Sequence, residues 1–180
     1  EKLLVLNGCA IYLTRFNSEE PLLLEFIQVR YEVFQTAETT HYEPEPDSDD
    51  THPDTRFLLV IDETQGVPKV VGGRRMLFHE PDSDFVLYAE RNAHMAMQEM
   101  LPHLKTDKLR YVELGSFCLL EEYRGSGIAS ALYQVTFDYL KSRQVDFIVS
   151  QSVPSNVDRL HWAAEKNGAK QVILRFDVLT

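Results

Sequence analysis

Tyr111-Val112-Glu113-Leu114-Gly115-Ser116-Phe117-Cys118-Leu119-Leu120, running into Glu121-Glu122-Tyr123-Arg124-Gly125-Ser126-Gly127-Ile128-Ala129, decides how this chain folds. The first ten residues are apolar and β-prone throughout, the pattern of a strand buried on both faces. Past the second block a helical run extends from Ser130 to Arg143, with Leu132, Val135, Tyr139 and Leu140 close to one helical face. Between strand and helix, Gly125, Ser126, Gly127 and Ala129 let the backbone turn tightly and approach a ligand closely. The first turn of a helix carries free N–H groups and partial positive charge, and that geometry holds phosphate. A bare Gly-x-Gly is more often a turn that relieves strain. Here a buried strand, a helix and Arg124, whose forked donors suit phosphate oxygens, coincide.

Outward from this unit, strands and helices alternate. Leu3–Leu6 and Ala10–Phe16 read as two strands around Asn7-Gly8, a favoured hairpin dipeptide. Asn17 or Ser18 is a candidate cap for a helix that has Glu19, Glu20 and Pro21 in its first turn and runs to Phe34. Arg30 falls on or beside its apolar face, and spacing alone predicts a packed stem with its head in water. Periodicity then disappears from Thr36 to Thr55, where Glu43-Pro44-Glu45-Pro46-Asp47-Ser48-Asp49-Asp50 is acidic and proline-broken. We expect a mobile or partly ordered loop there, a candidate cover for a site; it lacks the glycine and terminal glutamate of a calcium loop.

Arg56–Asp62 and Val67–Phe78 read as strands joined at Glu63-Thr64-Gln65-Gly66. Gly72-Gly73 predicts a bulge or a close backbone approach. Arg74 and Arg75 should lie on opposite faces, one solvated and the other looking into a cleft. Ala89–Leu104 reads as a helix with Met95, Met97 and Met100, Val145–Ser150 as a strand, Pro154–Asn167 as a helix ended by Gly168, and Gln171–Val178 as a last strand. The alternation predicts an α/β or α+β sheet covered on both faces, in one domain over residues 1–180.

Composition narrows the function. A net charge of −10 over 180 residues gives a nucleic-acid partner little electrostatic support. It also repels an acidic carrier protein unless basic residues gather on one face. Cys9 and Cys118 form neither a disulfide framework nor a zinc pattern, and Cys118 reads as a small buried thiol. No metal site is expected. The apolar start is broken by Asn7-Gly8 and does not read as a signal peptide, and no run is long enough for a membrane span, so a cytoplasmic protein is expected.

At the glycine turn the sequence resembles the GNAT superfamily of acyl-CoA-dependent N-acyltransferases. Their signature is Gln/Arg-x-x-Gly-x-Gly/Ala, often within Glu-Tyr-Arg-Gly-x-Gly-Ile; here Glu122 takes the Gln/Arg position, followed by Tyr123, Arg124, Gly125, Ser126, Gly127 and Ile128. The resemblance implies a GNAT fold, a central mixed twisted sheet flanked by helices with a splay between two central strands. It implies that the donor's phosphates rest on Arg124, Gly125, Ser126, Gly127, Ile128 and Ala129, and that its pantetheine arm pairs with Phe117, Cys118 and Leu119. No tightly bound cofactor is implied, only acyl-CoA or acyl carrier protein as co-substrate. Glu113, ahead of the donor segment on the same strand, is the implied catalytic base, where a carboxylate in an apolar strand should have a raised pKa. Its alternative is a strand-end glutamate paired with Arg110. The tyrosine that many GNAT enzymes place in the last helix is Ala164 here, which leaves Tyr133, or no acid at all, for the departing thiolate.

Residues 30–116 carry a second resemblance, to the autoinducer synthases and the long-chain N-acyl amino acid synthases. Arg30-Tyr31-Glu32-Val33-Phe34, Asp50 and Asp54, Gly72-Gly73-Arg74-Arg75-Met76-Leu77 and Val112-Glu113-Leu114-Gly115-Ser116 follow that pattern in order. Ser116 stands where the autoinducer synthases have arginine, which favours the N-acyl amino acid branch. This resemblance implies an acceptor site with Arg30 and Arg75 beside the amine, Glu113 as base, an acyl pocket near Met95–Leu101 and an acyl carrier protein partner. An ordinary short-chain acetyltransferase using acetyl-CoA, and a non-catalytic acyl-CoA-binding module, are the alternatives.

Overall fold

The computed structural model describes residues 1–35, 44–81, 99, 108–150, 165 and 166. Among these residues, six strands form one sheet in chain order: β1 (Lys2–Leu6), β2 (Cys9–Thr14), β3 (Thr55–Asp62), β4 (Lys69–His79), β5 (Tyr111–Leu119) and β6 (Phe147–Ser150). All neighbours are antiparallel except β5 and β6, which run parallel. Helix α1 (Pro21–Gln35) follows β2, and α2 (Ile128–Ser142) makes the crossover from β5 to β6, as a parallel pair requires. The expected helices Ala89–Leu104 and Pro154–Asn167 and the strand Gln171–Val178 lie outside the described residues, apart from the helical Glu99, Glu165 and Lys166.

The β1–β2 hairpin closes on Asn7 (φ 50°) and Gly8 (φ 80°), the left-handed pair that an Asn-Gly turn supplies. Helix α1 begins at Pro21, later than expected, because Asn17 accepts the Glu19 amide in a separate turn. Phe26 of α1 meets Phe57 edge-on, with ring centroids 5.9 Å apart. Phe57 stands opposite Arg75, so α1 covers the Phe57–Arg75 face. Tyr133 of α2 lies beside Arg74, which stands opposite Leu58, so α2 covers the other face. Both faces are therefore occupied, and the core runs through Leu23, Leu58, Val60, Met76, Val112 and Leu132.

That coverage corrects the expectation that one of Arg74 and Arg75 is solvated. They do point to opposite faces, but both are buried. Gly72-Gly73 behaves as expected: the β3–β4 register shifts where Val60 and Ile61 stand opposite Gly72 and Val70. A Cβ on Gly72 would sit 2.5 Å from the Cys118 carbonyl oxygen and 2.9 Å from the Leu119 Cα. Both are backbone atoms, so Gly72→Ala must part the two strands. We expect it to cost about 2 kcal/mol, a fall in Tm of about 4–8 °C measured by calorimetry.

Candidate active site

The parallel β5–β6 register runs from Tyr111 opposite Phe147 to Leu114 opposite Ser150. Beyond it, Gly115–Leu119 have β4 alone as a strand partner among the described residues. Within β5, Ser116 has a left-handed φ of 54°. A non-glycine residue in that region marks a bulge, and a bulge re-aims the strand beside it. The segment Phe117, Cys118 and Leu119 that was expected to meet a pantetheine arm follows this bulge and pairs with β4 at Cys118 and Leu119. Cys118 is buried as expected, and its burial pushes the thiol up to about 12; it stays a thiol at neutral pH.

After Leu120 comes a single 3-10 turn, Glu121–Tyr123, and then Gly125 (φ 75°) and Gly127 (φ 85°). Two left-handed residues so close together explain the glycines, since a side chain there is strained even where space is open. Helix α2 starts at Ile128 with no side-chain cap. The Ala131 amide is the first to bond back, to the Gly127 carbonyl at 3.0 Å. The amides of Gly125, Ser126, Gly127, Ile128, Ala129 and Ser130 have no acceptor among the described residues. Arg124 is exposed, its Nε donating to the Leu119 carbonyl at 3.2 Å. This is an open anion cradle of the kind that free helix-start amides form.

Two contacts brace the cradle from outside. Asn7 at the hairpin tip donates to the Ser126 carbonyl at 3.0 Å, and the Tyr123 hydroxyl donates to Asp62 at 2.6 Å. Asp62 also accepts the Thr64 hydroxyl and amide, and these bonds, the Thr64 hydroxyl foremost, hold its carboxyl at about 2 against the usual 3.8. A carboxylate whose folded pKa is depressed stabilises the fold fully above its unfolded pKa and loses that contribution as pH falls through the folded one. Between about pH 4 and pH 2 the wild-type protein is therefore expected to lose stability that Asp62→Asn does not lose, as a pH series of urea midpoints would show.

On the α1 face lies a second cluster. Arg30 is fully buried, not snorkelling as its spacing predicts; it meets Asp50 fork to fork at 2.9 and 2.8 Å and reaches the Ser116 hydroxyl at 3.4 Å. Arg75 bonds Asp47 at 2.8 and 2.9 Å, Asp50 at 2.9 Å and Asp49 at 3.3 Å. Burial pulls the Arg75 guanidinium down, but Asp47, Asp50 and Asp49 outweigh it and leave its pKa above the ordinary value. Burial likewise pushes the Asp47 carboxyl up, and Arg75 reverses this to hold it low. The acidic loop, expected to be mobile or partly ordered, is over Asp47–Asp50 an anchored turn. Periodicity carries no sign of such an anchor, because the partners come from α1 and β4.

Both guanidinium forks are spent on the loop, so neither Arg30 nor Arg75 can receive an acceptor carboxylate without breaking a buried ion pair. The resemblance places Arg30 and Arg75 beside the acceptor amine; the structure holds both against the acidic turn. Among the described residues, three carboxylates meet two guanidiniums in this cluster. Glu113 stands opposite Leu77, two residues along the strand from Gly115, which is opposite Arg75. Strand alternation puts it on the same face as Arg75, and it is buried. Arg110, the alternative partner, donates to Glu80 at 2.7 Å and to the Arg143 carbonyl at 2.9 Å. The structure thus brings Glu113, Arg30 and Arg75 to one face and the glycine turn to the start of the helix on the other. Ala164 and Met95–Leu101 lie outside the described residues. No grouping of metal-binding side chains occurs among the described residues, nor does any helix there have the length and apolarity to cross a membrane.

Among the described residues, a mixed six-stranded sheet carries an open anion cradle between β5 and the crossover helix. The description "Acetyltransferase (GNAT) domain" fits residues 29–134, more than half of the chain. The chain belongs to this family and is an N-acyltransferase. No curated protein gives a significant sequence match. Among solved structures, an aminoglycoside acetyltransferase from an uncultured soil metagenomic sample, bound to sisomicin, is similar with TM-score 0.58 and 13% identity over 97% of this chain and 98% of that one. The BH1408 protein from Bacillus halodurans, as a tetramutant, gives 0.60 and 15% over 94% and 99%. Glucosamine-6-phosphate N-acetyltransferase from Arabidopsis thaliana gives 0.51 and 10% over 93% and 99%. At these identities the likeness is one of fold.

Proposed function

We propose that this chain, as one domain over residues 1–180, moves an acyl group from a pantetheine thioester to the amine of an amino acid, giving an N-acyl amino acid. The observation that carries this reading is the convergence of Arg30, the acidic turn, Arg75 and Glu113 on one sheet face. The donor, acyl carrier protein or acyl-CoA, lays its phosphates on Arg124–Ala129 and its arm along Phe117–Leu119. Its thioester then reaches the Glu113 face. Glu113 takes the proton from the acceptor ammonium, directly or through water, and Arg30 and Arg75 shape the acceptor side by fixing Asp47–Asp50.

A second reading, a short-chain acetyltransferase using acetyl-CoA on a small amine, is favoured by the occupied guanidinium forks, which leave an amine without a carboxylate equally welcome. Incubation of the protein with palmitoyl carrier protein or acetyl-CoA, each against a panel of amino acids, polyamines and amino sugars, separates them by product mass. Long-chain N-acyl amino acids support the first reading and N-acetyl amines the second. Donor binding without any product points instead to a non-catalytic acyl-CoA-binding module.

A further inference from the structure

Arg74 differs from the other buried arginines. It is 1% exposed, yet no carboxylate reaches it among the described residues. Its Nη1 donates to the Thr136 hydroxyl oxygen at 3.4 Å, while that hydroxyl's own proton goes to the Leu132 carbonyl at 2.6 Å. Its Nε is buried without a hydrogen-bond partner. The guanidinium lies 5.4 Å from the ring centre of Phe117 and 5.3 Å from that of Tyr133, and those rings stack on each other 4.9 Å apart. Burial lowers its pKa to about 10, so it remains charged at neutral pH. A desolvated cation costs several kcal/mol unless paired, and ring contacts return only part of that. Among the described residues nothing neutralises this charge.

The location of that charge gives it a use. Phe117 belongs to the strand that leads into the glycine turn, and Tyr133 and Thr136 are in the second and third turns of the helix that the turn starts. At 1.5 Å per residue, Tyr133 is only ~8 Å along the helix from its first amides. The side chains at the turn itself are a poor match for an anion, because Glu121 and Glu122 are both exposed beside Arg124. We propose that Arg74 is the buried counter-charge of the donor's phosphates: it raises affinity for an anionic pantetheine donor by field and not by contact. This rests on the reading that the donor's phosphates occupy Arg124–Ala129. A unit charge ~10 Å from a phosphate group in a low-dielectric wall, partly screened by water, is worth about tenfold in affinity.

The test uses coenzyme A, 4′-phosphopantetheine and phosphate-free pantetheine as calorimetric ligands for the wild type, Arg74→Met and Arg74→Lys. Arg74→Met is expected to weaken coenzyme A about tenfold and 4′-phosphopantetheine by less, to leave pantetheine within about twofold, and to melt at or above the wild-type temperature without ligand. Arg74→Lys should retain most of the coenzyme A affinity. Equal weakening of all three ligands, an unchanged coenzyme A affinity in Arg74→Met, a lysine variant that behaves like the methionine one, or an Arg74→Met protein that unfolds would each overturn the proposal. If wild type binds no coenzyme A while Arg74→Met still melts higher, the donor-site reading has failed and the proposal with it.

Discussion

Glu113→Gln is expected to lower kcat for acyl transfer about 10²–10³-fold while leaving donor affinity unchanged, since a positioned general base contributes about 10²–10⁴-fold. The acceptor arrives as an ammonium, and its nitrogen attacks only after losing a proton. Glutamine preserves the volume and a hydrogen-bonding oxygen at a buried position of β5, so folding should survive. The deficit should shrink as pH rises toward the acceptor's own pKa, because solvent then does the work of the carboxylate. A pH profile of kcat for both proteins checks this. Unchanged turnover at neutral pH removes Glu113 as base, and an equal deficit at all pH values assigns it a structural role.

The second large effect concerns stability. Arg30→Met leaves Asp50, which is fully buried, with Arg75 as its remaining described cation. Breaking a buried pair by removing one partner costs about 3–5 kcal/mol, which for a domain of this size lowers Tm by roughly 10 °C. Because Asp50 and Asp47 bond each other's amides at 3.0 and 2.7 Å, the whole acidic turn should loosen, with faster proteolysis near residues 47–50. The double substitution Arg30→Met with Asp50→Leu should recover part of the loss. A Tm within about 2 °C of wild type would mean that water reaches this pair. Arg74→Met is expected to move stability in the opposite direction, since the same residue type lies there without a carboxylate.

Much of the frame was legible before any coordinates. The strand–turn–helix unit from Tyr111 onward, the Asn7-Gly8 hairpin and the close approach at Gly72-Gly73 are local features, each written in residues with few conformational options. The bulge at Ser116 was not legible, because serine gives no signal for a left-handed backbone as glycine or asparagine does. Helical spacing put Arg30 near the apolar face, but the carboxylate that lets it be buried comes from 20 residues away along the chain. The expectation of one solvated arginine at Arg74-Arg75 failed for a tertiary reason as well, since α1 and the acidic turn cover one face and α2 the other. Glu113 was legible as a candidate only through resemblance; strand register then put it on the Arg75 face.

The central claim is that the open amides of the glycine turn hold an anionic donor. Amide NMR shifts during titration with coenzyme A test it most directly. The account predicts that the largest changes fall on Gly125, Ser126, Gly127, Ile128, Ala129 and Ser130, with smaller ones along Phe117–Leu119. Saturable binding that leaves those six amides unmoved would contradict it.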